Sequence, residues 1–140
     1  MKIRPVLALI LVFAAAISLN VRADDGVKGP KIQLVESSYD FGTTVQGTQV
    51  KHIFKFKNVG TDTLKIEHVK TSCGCTAAWE SSKVIPPQKE GQIEVAFNTG
   101  SVLGKASKTV FIFSNDVESP KRSVVIHGMV EAKKTEETKK

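Results

Sequence analysis

The chain predicts an all-β fold, an immunoglobulin-like antiparallel β-sandwich of about seven strands, and three observations carry that prediction. Apolar and polar residues alternate with a period of two along several short segments, turn-forming residues separate those segments, and none holds a 3.6-residue apolar repeat of helical length. A closed barrel is the alternative architecture for the same pattern.

The first strand candidate is residues 31–36. Tyr39-Asp40-Phe41-Gly42 follows as the start of a strand, with Phe41 packing inward and Gly42 permitting a tight bend. Residues 49–58 alternate most clearly. Val50, His52, Phe54 and Phe56 share one face, and Lys51, Ile53, Lys55 and Lys57 share the other, as in a half-buried strand. Residues 64–69 and 76–79 are shorter candidates. Residues 92–98 turn Ile93, Val95 and Phe97 inward and Gln92, Glu94 and Asn98 outward. Residues 109–114 differ, because Val110 and Ile112 alternate with Phe111 and Phe113; apolar side chains on both faces predict a central or covered strand. Residues 122–130 complete the set. Turn chemistry separates the segments at Gly47, Asn58-Val59-Gly60, Pro86-Pro87, Asn98-Thr99-Gly100 and Asn115-Asp116. Antiparallel pairing of residues 49–58 with 92–98 in one sheet predicts that Lys55 or Lys57 approaches Glu94, a wet-face ion pair of little energetic weight.

The sequence divides into four parts. Residues 1–23 read as a secretory signal peptide: Lys2 and Arg4 precede an apolar run over residues 6–17, and Val21-Arg22-Ala23 offers a small residue at each position a signal peptidase reads. The run is shorter than the roughly 20 residues that span a bilayer, so no stable membrane insertion is expected after cleavage, and no cysteine near the cut supports a lipid anchor. Residues 24–30 form an N-terminal extension, 31–130 the sandwich domain, and 131–140 a charged tail expected to be disordered. A soluble periplasmic or secreted protein is predicted. Lys2, Arg4 and Arg22 leave with the signal, so 20 basic against 14 acidic residues becomes 17 against 14 and the formal charge falls from +6 to +3. The remaining lysines are dispersed, which argues against a nucleic-acid partner.

Tyr39-Asp40-Phe41-Gly42, Gly47, Phe54-x-Phe56-x-Asn58-x-Gly60, Leu64-x-Ile66, Ser72-Cys73-Gly74-Cys75-Thr76, Ile85-Pro86-Pro87 and Ile93-x-Val95-x-Phe97 together resemble the bacterial exported domain-of-unknown-function family numbered 1573. Without the cysteines, the same frame resembles the hydin-like and major-sperm-protein-like immunoglobulin modules. The resemblance runs from about Ile32 to about Val130 and implies the sandwich fold and a non-catalytic, partner-binding habit; it supplies no reaction. Related chains tend to have Pro-Gly where this one has Pro87-Gln88, with the glycine delayed to Gly91, so a turn with positive φ at Gln88 is not expected.

Both cysteines of the chain lie in Cys73-Gly74-Cys75. In an oxidising compartment, thiols this close tend to pair, and Gly74 carries no side chain to resist the tight ring. A disulfide closing so short a loop stabilises by only about 1–2 kcal/mol in the chain-entropy relation, which makes it a poor staple and directs attention to redox chemistry. The alternative is a soft metal, copper or zinc, held by Cys73 and Cys75 with His68 as the nearest histidine in sequence. His52 and His127 are read as partly buried strand histidines, although Met129 beside His127 adds to the copper alternative. Trp79 is expected as a core ring closing one end of the sandwich, with an exposed partner-binding anchor as the competing assignment.

Among enzyme signatures, the chain contains no Gly-x-Ser-x-Gly elbow, no phosphate-cradling glycine loop, no His-Glu-x-x-His and no acidic pair in an apolar setting. The functional expectation is therefore a non-catalytic interaction or scaffold module that meets a protein partner in the cell envelope and needs no cofactor. The alternative is a thiol-redox or copper- or zinc-handling protein centred on Cys73 and Cys75.

Overall fold

The computed structural model describes residues 28–134. The expected signal peptide over residues 1–23, residues 24–27 of the expected extension and residues 135–140 of the expected tail lie outside the described residues. Nine strands follow one another with no helix among them: β1 (Ile32–Leu34), β2 (Ser38–Val45), β3 (Gln49–Asn58), β4 (Leu64–Thr71), β5 (Thr76–Glu80), β6 (Val84–Ile85), β7 (Glu90–Asn98), β8 (Gly104–Ser114) and β9 (Lys121–Glu131). They build two facing sheets, β1-β3-β7-β5 and β2-β9-β8-β4-β6, so the architecture is a sandwich and not a closed barrel. The count exceeds the expected seven because residues 38–45 extend the Tyr39-Gly42 motif into a full strand and residues 84–85 form a two-residue edge.

The all-antiparallel expectation needs one correction. β2 runs parallel to β9, with Ser38 opposite Val125 and Val45 opposite Glu131. After β1 leaves the four-stranded sheet, the chain crosses to the edge of the other sheet and meets β9 in the same direction. A register shift between Asp40 and Thr43 accompanies a positive φ of 69° at Gly42, the bend that this residue was expected to allow.

Alternation along β3 and β7 puts the core where period-two reasoning predicts it. Phe54, Phe56, Ile93, Val95 and Phe97 are fully buried and meet Val110, Ile112, Val124 and Ile126 from the opposing sheet. β8 is central in its sheet, flanked by β9 and β4. The second apolar face of β8 is covered by side chains instead of another layer: the Lys121 ammonium lies 4.3 Å from the Phe111 centroid, and His68 stacks on Phe113 at 4.3 Å.

β3 and β7 pair antiparallel in one sheet as expected, but the register differs from the predicted ion pair. Lys57 faces Glu90, Lys55 faces Gln92, and Glu94 stands opposite Ile53. The register of this non-consecutive pair depends on the long connection through β4, β5 and β6, which alternation alone does not count.

Buried polar groups join the sandwich ends. Asn58 is fully buried and uses its whole side-chain amide: Nδ2 donates to the carbonyls of Asp62 (2.7 Å) and Ile85 (2.9 Å), and Oδ1 accepts from the backbone N–H groups of Gly60 (3.0 Å) and Lys31 (3.3 Å). The carboxylate of Asp116, also buried, accepts from the N–H groups of Ile32, Glu118 and Ser119. The last residues before β1 join the same network, since Gly29 exchanges hydrogen bonds with Thr61 and the Pro30 carbonyl accepts from Val117.

A second correction concerns the turn before β7. Gln88 has a φ of 66°, and the N–H of Lys89 donates to the Pro86 carbonyl at 3.1 Å, so the residue occupies the left-handed position of a type II turn led by Pro87. The turn survives without glycine because Asn58 grips it from both sides: the N–H of Gln88 donates to the Asn58 carbonyl at 2.8 Å, and the N–H of Asn58 donates to the Lys89 carbonyl at 2.9 Å. Replacing Gln88 with glycine removes the Cβ penalty at this position, partly offset by greater freedom of the unfolded chain. Gln88→Gly is expected to stabilise the domain by roughly 0.5–1 kcal/mol, read as a higher urea midpoint at unchanged slope.

Candidate functional site

β4 belongs to the five-stranded sheet and β5 to the four-stranded one, so the chain between them, Ser72-Cys73-Gly74-Cys75, forms a corner joining the sheets. Hydrogen bonds fasten this corner to both layers. The N–H of Ser72 donates to the Thr109 carbonyl (2.9 Å), and the N–H of Thr109 donates to Ser72 Oγ (3.1 Å), tying the loop to β8. On the other side the N–H of Asn98, at the end of β7, donates to the Cys75 carbonyl at 2.9 Å. The Cys73 carbonyl accepts from Thr71 Oγ1 (3.0 Å) and from the N–H of Thr76 (3.3 Å).

Within this frame Cys73 and Cys75 are joined by a disulfide, with their Cα atoms 5.4 Å apart. Both residues are half-buried, and Gly74 between them is exposed with open space where a side chain would stand. Cys75 packs against the hydrophobic core, whereas Cys73 is outside that packed set. Beneath the bridge lies Thr76, only 5% exposed, with Oγ1 3.7 Å from Cys73 Sγ and 4.0 Å from Cys75 Sγ. A disulfide sulfur carries no proton, so the hydroxyl is the donor in both contacts.

His68 does not join the sulfurs in a cluster. It follows a register shift between Ile66 and His68 in β4, which turns it to the outer sheet face, where it stacks on Phe113. Among the described residues, no three His, Cys, Asp or Glu side chains come together in a group that could hold a metal ion. His52 is engaged elsewhere: its Nε2 is 2.6 Å from Glu36 Oε1, its ring stacks on Tyr39 at 3.7 Å, and it meets Phe54 edge-on at 4.6 Å. Tyr39 therefore closes one margin of the core together with a histidine, a pairing that sequence spacing did not indicate.

His127 occupies a row of the five-stranded sheet that sequence reasoning missed. Register places Asp40 and Ser107 on either side of it, and the three help line a shallow groove of about 470 Å³ with Thr43, Lys105 and Met129. His127 Nδ1 lies 4.0 Å from Asp40 Oδ1, beyond hydrogen-bond range. Among the described residues no hydrogen bond links Ser107 to His127, and the Gly42 N–H, where the β2–β9 ladder is interrupted, donates to Asp40 Oδ1 at 2.8 Å. Among the described residues, then, Ser107 has no hydrogen-bonded base in this row.

Trp79 corrects an expectation. It is 43% exposed, because Thr76 and Ala78 take the inward positions of β5 and leave the tryptophan on the outer face of an edge strand. Across that face Trp79 and Ile53, itself 46% exposed, both stand opposite Glu94 and so form one row over three strands. The row above it brings Ala77 and Ala96 together beside Lys51, and the row below places Lys55 beside Gln92.

The fold is shared with solved structures of low sequence identity. A protein of unknown function from Porphyromonas gingivalis W83 superposes with a TM-score of 0.66 at 19% identity, over 79% of this chain and 51% of that one. The present chain thus spans about half the length of that protein. The PapD-like (ASH) domain 7 of human CEP192 gives a TM-score of 0.57 at 13% identity, covering 74% of this chain and 87% of that domain. The secreted serine protease VesC from Vibrio cholerae gives 0.55 at 13% identity, over 71% of this chain but only 23% of the protease. At these identities the likeness is one of fold. No curated protein matches the chain. The family described as a protein of unknown function (DUF1573) matches over residues 32–130, from the first residue of β1 almost to the end of β9, and the chain belongs to that family.

Proposed function

We propose that this chain is a non-catalytic, exported immunoglobulin-like module that docks a protein partner in the cell envelope through the outer face of its four-stranded sheet. The supporting observation is the exposed row of Ile53 and Trp79, two large apolar side chains on either side of Glu94 on a face that otherwise carries lysines, Glu90, glutamines and alanines. Tryptophan supplies a large rigid contact at little entropic cost and is enriched among residues that dominate binding energy. Lys51 and Lys55 flank Ile53 along β3 and Glu94 stands between Ile53 and Trp79, so the fitting partner presents an apolar spot bordered by charges of both signs. The opposite face of the sandwich is less suited, since its aromatics Phe111 and Phe113 are already covered by Lys121 and His68.

Among the described residues no helix is long and apolar enough to cross a membrane. Export rests on residues 1–23, and the soluble periplasmic or secreted location follows from cleavage of that segment. The test is a photoreactive amino acid placed at position 53 in living cells, with position 123 on the other outer face as control. A discrete protein adduct from position 53 and none from 123 is expected. Equal adducts from both positions, or none from position 53, would sink this assignment.

A further inference from the structure

Beyond partner docking, we infer that the Cys73–Cys75 disulfide is a thiol–disulfide exchange site that accepts the electrons of an exposed dithiol on another protein, with Cys73 as the sulfur attacked and Thr76 as the group that receives the departing thiolate. Exchange requires the incoming thiolate, the attacked sulfur and the leaving sulfur to lie in line. Cys75 packs against the hydrophobic core, which crowds the approach to its sulfur. Cys73 is half-buried and outside the packed core set, and its neighbour Gly74 is exposed with open space where a side chain would stand, so Cys73 is the more approachable sulfur.

The Thr76 hydroxyl is the second observation. It is buried, among the described residues its hydroxyl has hydrogen-bonding contacts with the two sulfurs alone, and a buried donor without a good acceptor is costly. A disulfide sulfur accepts weakly; a thiolate accepts strongly. The contact therefore gains strength when the bond breaks. Lys108 adds positive charge at the same corner, with its ammonium 5.6 Å from the ring centroid of Phe97, the residue opposite Thr76 in the β5–β7 ladder.

The chemistry balances without a further reagent. One thiolate of the dithiol attacks Cys73 Sγ, a mixed disulfide forms, and the Cys73–Cys75 bond breaks with its electron pair moving to Cys75 Sγ, which Thr76 Oγ–H then solvates. The second thiol of the same partner, as thiolate, attacks its own sulfur in the mixed disulfide and expels Cys73 as a thiolate. The partner leaves oxidised to a disulfide, Cys73 and Cys75 remain reduced, and the two protons released by the partner's thiols end on the two cysteines. Two electrons have been transferred.

The experiment uses the full oxidised chain and reduced glutathione as the probe thiol, with acid quenching, alkylation and peptide mapping. Mixed disulfide is expected on Cys73 and not on Cys75. Thr76→Val is expected to slow exchange on the order of tenfold, the loss of one hydrogen bond to a charged leaving group, while Thr76→Ser retains the rate. Thermal unfolding of the oxidised variants, measured alongside, separates a change in exchange from a change in folding. Glutathione on Cys75, no exchange at millimolar glutathione, or equal slowing by Thr76→Val and Thr76→Ser would each overturn the inference. None of these outcomes bears on whether position 53 contacts a partner, so the two assignments fail separately.

Discussion

Asn58→Ala is expected to destabilise the domain by roughly 3–5 kcal/mol, a large fraction of the total stability of a domain this size. The side chain is completely buried and holds four backbone groups, the carbonyls of Asp62 and Ile85 and the N–H groups of Gly60 and Lys31. Those groups belong to three segments that the side chain ties together: the approach to β1, the β3–β4 turn and edge strand β6. Truncation leaves donors and acceptors facing a void, and each one kept from water costs about 1–3 kcal/mol. Asn58→Asp preserves shape but turns a carboxylate toward two carbonyl oxygens, so it is expected to be similarly damaging. Urea denaturation of both variants gives the comparison; a loss below about 1 kcal/mol for Asn58→Ala would show that the network contributes little.

The second large effect is expected where β3 and β7 pair. Phe56 stands opposite Gly91, and a Cβ built on that glycine would lie 2.3 Å from Phe56 Cζ. The ring is fully buried and has no room to withdraw. Gly91→Ala is expected to cost about 2–3 kcal/mol by overpacking, and Phe56→Leu about 1–2 kcal/mol through the cavity it leaves. Combined, the smaller side chain at position 56 accommodates the new methyl, so the double variant is expected to lose at least about 1 kcal/mol less than the sum. Strict additivity would mean that the two side chains do not share that space. The contact accounts for the glycine at position 91, because the ring fills the volume a side chain would need.

How far the sequence discloses this protein depends on whether a property is periodic. Alternation in β3, β7 and β8 locates Phe54, Phe56, Phe97, Val110 and Ile112 in the core, because a strand side chain can point to only two faces. Trp79 escapes that logic: its strand is short and marginal, and ring size suggested burial where parity dictates exposure. The positive φ of Gln88 is equally hidden, since the clamp that enforces it comes from Asn58, thirty residues earlier in the chain. The parallel pairing of β2 with β9 and the β3–β7 register both depend on how connections cross between sheets, which local patterning does not encode. Sequence proximity pointed to the pairing of Cys73 with Cys75, and the two are joined by a disulfide. The underlying Thr76 carried a signal too, as the next residue after the motif, but only the corner geometry brings its hydroxyl beneath both sulfurs.

The claim on which the functional account rests is that docking resides on the Ile53 and Trp79 face and not in the cysteine corner. The most direct measurement repeats photocrosslinking from position 53 in two backgrounds, Trp79→Ser and the double replacement Cys73→Ser with Cys75→Ser, each first shown by thermal unfolding to be folded. The account predicts that the adduct disappears in Trp79→Ser, since loss of a dominant aromatic anchor weakens binding by about 2 kcal/mol or more, and persists in the cysteine-free chain. An adduct that persists without Trp79 and vanishes without the two cysteines would contradict it.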